Sequence, residues 1–243
     1  MEFLEFKKEL EYIFEKNSLS ELLTEERTRK LYELTQIMLE VNKSMNLTAI
    51  TDEKAIILKH YADSLTVSKY IPNGARVIDV GCGAGFPCLP LAIFRDDISI
   101  TALDATAKRI NYVRDTATKL GLTNIVAIAA RAEDVAKLPD YRETYDTATA
   151  RAVATLPVLS ELCLPFVKKG GTFVAMKASQ GENEASDSAN AIKLCGGSLT
   201  SIDKFALISD AEPDTRIIVT VSKISPTPSK YPRNYSQIVK KHL

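Results

Sequence analysis

The chain has 243 residues, enough for one large α/β domain with a small appendage and a substantial buried core. Its 31 Lys and Arg balance 31 Asp and Glu, so a polyanionic partner must be met by a local basic patch and not by overall attraction. Cysteines without C-x-x-C spacing, an acidic opening segment and no apolar run near the roughly 20 residues of a membrane span argue against a metal, disulfides, a secretory leader and a membrane anchor, so a cytoplasmic protein is expected.

Residues 1–68 read as helices. Phe3, Phe6, Leu10 and Ile13 recur at helical spacing, and so do Leu31, Leu34, Met38 and Val41. A third helix is expected from Thr51 or Asp52, either of which can cap it, carrying Ile56, Ile57, Leu65 and Val67 inward. Ile71-Pro72-Asn73-Gly74 breaks the pattern. The expected organisation is a helical extension over 1–68 packed on a larger unit over 69–243.

Beyond the break, short apolar runs at 76–80, 98–103, 125–130, 146–150 and 172–176 alternate with helical segments. Such runs indicate a parallel sheet covered on both faces. The last two, 199–207 and 216–223, are too close for a helix between them, which predicts an antiparallel end to the sheet. The tail over 223–243 carries Lys223, Lys230, Arg233, Lys240 and Lys241 without an acidic residue. A charged tail of this kind is ordinarily solvated.

The first strand runs into Asp79-Val80-Gly81-Cys82-Gly83-Ala84-Gly85-Phe86-Pro87. Glycines such as Gly81 and Gly83 let a backbone turn sharply and approach a ligand without a Cβ in the way. Asp104 follows Gly81 by 23 residues, with Ala105 beside it, close to the spacing at which an acid meets ribose hydroxyls. Both a dinucleotide and S-adenosylmethionine present adenosine. A pyrophosphate needs free N–H groups at the helix start, which Pro87 and Pro90 remove, and Phe86 stands where the dinucleotide fingerprint has its third glycine. Those three residues favour S-adenosylmethionine, whose carboxylate and sulfonium make smaller demands. Arg131-Ala132-Glu133-Asp134 follows the third strand, where Glu133 can accept from an adenine amino group or simply cap a helix. Arg151, past the fourth strand, is a candidate anchor for cofactor or RNA, with an ion pair as its plainer role.

At this point the residues resemble a family, the bacterial 16S rRNA (guanine-N7) methyltransferases of the RsmG or GidB family. The resemblance rests on Asn42-Lys43-Ser44-Met45-Asn46-Leu47-Thr48, His60-Tyr61-Ala62-Asp63, the glycine loop through Pro87, Lys108-Arg109, Arg131 to Asp134, Arg151-Ala152 and Lys230-Tyr231-Pro232-Arg233. It implies a class I, Rossmann-like methyltransferase sheet, and carries over Gly81, Phe86, Ala132, Glu133 and Arg151 as cofactor contacts. It also implies 16S rRNA or the small ribosomal subunit as partner, met by a monomer. Val41 and Cys88 depart from the family, which commonly has tryptophan and glycine there.

Guanine N7 offers an unprotonated lone pair, so an in-line methyl transfer needs no catalytic acid or base. Cys163, the nucleophile a pyrimidine C5 reaction would require, lies in an apolar Leu-Cys-Leu run that reads as core. His60 and Asp63, three apart on a helix, form either an acid–base pair or a hydrogen bond fixing that helix. Lys43, Lys177, Lys230 and Arg233 are candidate phosphate contacts, with Tyr231 and Tyr235 available to stack on bases. A small-molecule methyltransferase, a nicotinamide-dependent oxidoreductase and a non-enzymatic binding module are the alternatives.

Overall fold

A computed structural model describes the whole chain, Met1–Leu243. The opening segment forms α1 (Phe3–Lys16) and α2 (Glu25–Met45), with Phe6, Leu10, Leu31, Leu34 and Met38 fully buried. Phe3 and Val41, expected inside, are half-buried. Thr24 caps α2 by accepting from Arg27 N, and Asn46 ends it in the left-handed conformation (φ 51°) that asparagine tolerates. The third helix starts as expected at Asp52, whose carboxylate accepts from Ala55 N. It is not uniform: α3 (Glu53–Ile56) widens into a π-helical segment, Ile57–Ala62, before α4 (Asp63–Leu65). Apolar spacing does not distinguish a widened turn from an ordinary one, although such turns concentrate at functional sites.

Seven strands form one sheet: β1 (Arg76–Val80), β2 (Ser99–Asp104), β3 (Ile125–Ala129), β4 (Tyr145–Arg151), β5 (Val167–Lys177), β6 (Gly197–Leu207) and β7 (Asp214–Lys223). Their order is β3-β2-β1-β4-β5-β7-β6. The first five pair in parallel, and β7 runs antiparallel to both neighbours. This is the mostly parallel α/β sheet with an antiparallel last strand that the apolar runs predict. Strand order reverses direction beside β1, which puts a topological switch point between β1 and β4.

Successive strand residues feed opposite cores. Val77, Ile100 and Val174 join α5 (Cys88–Phe94), α6 (Ala107–Lys119) and the buried side chains of α1 to α4 in one cluster. The helical extension therefore shares its core with the sheet. Ile78, Ala148, Phe173 and Val219 face a second cluster with α7 (Ala132–Val135), α8 (Leu156–Cys163) and α10 (Ala189–Leu194), the last preceded by α9 (Gly181–Asp187).

The basic tail is docked and not simply solvated. Arg142 donates to the carbonyls of Thr227, Pro228 and Tyr231. Lys223, fully buried, bonds Leu164 O, Thr227 Oγ1 and the Glu143 carboxylate. Tyr231 and Ile238 are buried in the second cluster, so the tail lies across that face as a strap ending in α11 (Tyr235–Lys240).

Candidate active site

The carboxyl ends of β1, β2, β3 and β4 meet at one cleft. Gly81 and Cys82 both donate to Leu103 O, at 2.7 and 3.1 Å, which folds the glycine loop over the end of β2. Gly81 has φ 74°, and a Cβ there would come within 2.5 Å of Val153 Cγ2, so this position demands glycine twice over. Asp104 Oδ2 accepts from Gly83 N at 3.1 Å, and Oδ1 from Thr106 N at 2.7 Å. Each oxygen keeps a lone pair for a further donor.

The cleft has two compartments. One, of about 210 Å³, is lined by Ala105, Ala132, Glu133, Leu162 and Tyr235; the other, of about 310 Å³, by Thr48, His60, Gly83, Phe86 and Arg151. They share Gly81, Asp104 and Val153. A two-lobed cleft with a carboxylate at its waist fits a nucleoside joined to an amino acid, the form of S-adenosylmethionine. All eight residues expected to hold the cofactor border it. A larger depression of about 750 Å³ lies between α1 and the end of β6 and contains none of them. No cluster of His, Cys, Asp or Glu is arranged to hold a metal ion.

The second compartment is walled by a network that crosses from α2 to β4. Asn42 accepts from Thr48 N and donates to Thr48 O, clamping the loop after α2. Thr48 Oγ1 lies 3.0 Å from His60 Nε2, while Arg151 Nη2 lies 3.3 Å from His60 Nδ1. A guanidinium only donates, so Nδ1 accepts and the Nε2–H donates to Thr48. Arg151 Nη1 also donates to Lys59 O and to Asp63 Oδ2, both at 2.9 Å, and Asp63 Oδ1 accepts from Arg216 Nε at 3.1 Å. The His60 ring stacks on Phe86 with 4.3 Å between centroids and 12° between planes. Burial, then the positive charge of Arg151, holds the imidazole down to about 3, so it is neutral. His60 and Asp63 are therefore joined through Arg151 and do not form an acid–base pair. The widened turn of the third helix carries His60 to this wall, and α4 directly after it carries Asp63.

At the base of the loop Asp79 is fully enclosed. Its Oδ1 accepts from Thr149 Oγ1 at 3.0 Å, and Oδ2 has no hydrogen-bond partner. Burial pushes this carboxyl up to about 6.

A family model described as rRNA small subunit methyltransferase G matches residues 27–210. Proteins named ribosomal RNA small subunit methyltransferase G are 44% identical in Desulforamulus reducens, over 91% of this chain and 92% of that protein, and 44% in Pelotomaculum thermopropionicum, over 87% and 89%. The chain belongs to this family. The fold likeness extends further: the structure of M. jannaschii TYW2 in complex with AdoMet matches with a TM-score of 0.54 at 15% identity, over 67% of this chain and 75% of that one. The activity follows: the protein is an rRNA methyltransferase, carried on a Rossmann-like sheet. Of the two departures, Val41 packs at the margin of the first core and Cys88 opens α5 with its side chain fully buried.

The basic residues separate into two kinds. Lys43 is exposed beside Glu40, and Lys230 is exposed over the Tyr231 ring. Lys177 is turned inward to Ala154 O and Glu184, at 2.8 and 2.7 Å. Arg233 forks onto Glu161, with Nε at 2.9 Å from Oε1 and Nη2 at 2.6 Å from Oε2. Glu161 has 0% exposure, and a carboxylate so buried requires a counter-charge. Tyr231 is also buried, leaving no face for a base. Sequence reasoning did not place Thr48, Arg109 or Tyr235 at the cleft. The Asn42-to-Thr48 motif signalled Thr48, and the pair Lys108-Arg109 signalled Arg109; Tyr235, read as a residue to stack on bases, carried no local signal for this cleft.

Proposed function

We propose that the protein transfers the methyl group of S-adenosylmethionine to N7 of a guanine in 16S ribosomal RNA. The observation that carries this reading is the two-lobed cleft at the switch point, with Asp104 at its waist, in a chain of the small-subunit rRNA methyltransferase family. When bound, the cofactor supplies an electrophilic methyl group. In this reading Asp104 accepts from the ribose hydroxyls, and Ala105, Ala132 and Glu133 border the adenine. Gly81, Gly83 and Phe86 admit the amino-acid end, where Arg109, 4.0 Å from Asp104, reaches the rim.

Arg151 separates this cleft from a neighbouring depression of about 570 Å³ that Lys59, Asp63, Lys177, Gln180 and Arg216 line. That depression is the proposed berth of the target guanine. His60 is neutral and has both ring nitrogens engaged, so it takes no proton from the base; N7 needs none removed. Catalysis then comes from holding the two reactants in line inside a wall of fixed dipoles and charges. Lys43 and Lys230 are the phosphate contacts, whereas Lys177 and Arg233 act by holding the acids they pair with. No helix is long and apolar enough to cross a membrane. A ribosomal substrate supports a cytoplasmic reaction.

The test is methylation of naked 16S rRNA and of small subunits from cells lacking this gene, read by nuclease digestion and mass spectrometry. One new N7-methylguanine is expected on one of these substrates. Methylation at another atom, or on neither substrate, overturns the reading.

A further inference from the structure

The tail's last aromatic side chain reaches the cofactor cleft. Tyr235 lines the compartment assigned to adenine, together with Ala132, Glu133 and Leu162. Its backbone N–H donates to Glu133 Oε1 at 3.2 Å, and its ring lies 5.8 Å from the Arg131 guanidinium. Glu133 is itself buried. The strap that carries Tyr235 is pinned two residues earlier by the Arg233 fork on Glu161, and further back by Arg142 on three carbonyls. The ring is thus delivered to the compartment on an anchored backbone.

We propose that Tyr235 is a cofactor-binding residue that packs its ring against the adenine, so that the C-terminal strap forms one wall of the cofactor site. The compartment is otherwise lined largely by aliphatic and small side chains, among them Val80, Leu103 and Leu162. A flat aromatic face is the surface that an adenine ring binds best, and half-buried Tyr235 supplies it. The same Glu133 that borders the adenine holds the strap's backbone, so cofactor occupancy and strap docking reinforce one another.

This proposal rests on the cofactor reading above, and binding of S-adenosylhomocysteine by calorimetry separates the two. With full-length protein, Tyr235→Ala is expected to weaken binding by about tenfold or more, and Tyr235→Phe to keep it within about threefold, since the ring and not the hydroxyl makes the contact. Hydrogen exchange of the unaltered protein is expected to show added protection over 233–240 when S-adenosylhomocysteine is present. Unchanged affinity in Tyr235→Ala overturns the proposal, and so does a raised KM for RNA with cofactor affinity intact. Should that variant not fold, unchanged exchange over 233–240 overturns it instead. Failure of the unaltered protein to bind S-adenosylhomocysteine would refute the cofactor reading itself.

Discussion

Arg151 at the end of β4 donates to Asp63 in α4 across 2.9 Å, and this pair ties the helical extension to the wall of the cleft. Asp63 is shared: its other oxygen takes Arg216 from β7. The extension, the glycine-loop sheet and the antiparallel strand therefore meet at one buried carboxylate.

Asp63→Ala leaves Arg151, with its side chain 15% exposed, without a carboxylate, whereas Arg216 keeps Asp214 at 3.2 Å. Removing one partner of a buried ion pair costs about 3 kcal/mol or more, because the remaining charge is stranded. Urea denaturation is expected to show that loss. Methyl transfer should fall further than stability explains, since Arg151 also loses the contact that holds it beside His60 and Phe86.

The glycine loop and the sheet were legible because both are local: apolar runs announce strands, and a strand running into glycines announces a cradle. Arg151 was ambiguous by the same logic, since its partners, Lys59, His60 and Asp63, lie about 90 residues earlier in the chain. The docking of the tail was hidden for a related reason. Its composition is basic and proline-broken, yet Arg142, Glu143 and Glu161, which dock it, lie 70 to 90 residues away. The widened turn at Ile57–Ala62 leaves no mark on apolar periodicity, so the meeting of His60 with Phe86 could not be read from spacing.

Gly81 and Gly83 are expected to respond differently to alanine. At Gly81 the new Cβ meets Val153 Cγ2 at 2.5 Å; at Gly83 the nearest atom is 3.9 Å away. Both sit at positive φ, 74° and 55°, which costs about 1 to 2 kcal/mol for a residue with a Cβ. Gly83→Ala should lose that much stability and no more, whereas Gly81→Ala should lose more and weaken S-adenosylhomocysteine binding by at least about tenfold. Adding Val153→Ala to Gly81→Ala should recover part of the affinity. Equal losses at both positions would contradict the steric account.

Lys230→Ala and Arg233→Ala should likewise part company. Lys230 is exposed, so its loss is expected to raise KM for RNA and flatten the salt dependence while leaving thermal stability unchanged. Arg233→Ala strands Glu161 at 0% exposure, with an expected loss of about 3 kcal/mol and release of the strap. Limited proteolysis of the tail distinguishes them: Arg233→Ala should be cut faster, and Lys230→Ala at the rate of the unaltered protein.

His60 and Asp79 impose opposite pH dependences on stability. His60 is held down to about 3 by burial and by Arg151, from an ordinary value of 6.5. Between those values the unfolded chain takes up a proton that the folded protein refuses. Its contribution is therefore complete above 6.5 and is lost as pH falls, by up to about 1.4 kcal/mol per unit. Asp79 is pushed up to about 6 by burial, against the Thr149 hydroxyl, from an ordinary value of 3.8. Between 3.8 and 6 the folded protein keeps a proton that the unfolded chain has released, so this group lowers stability as pH rises. The two slopes offset each other between about pH 4 and 6. Asp79→Asn removes the second slope, so its stability relative to the unaltered protein should climb by about 2 to 3 kcal/mol from pH 4 to 6 and level off above that. Urea denaturation across this range measures the climb, and a constant difference would refute the buried, raised carboxyl. His60 is checked directly by proton NMR, since His242 is the only other imidazole. Its ring signals should stay fixed from pH 8 to 5; a midpoint near 6.5 would overturn the neutral, doubly bonded imidazole at the wall of the cleft.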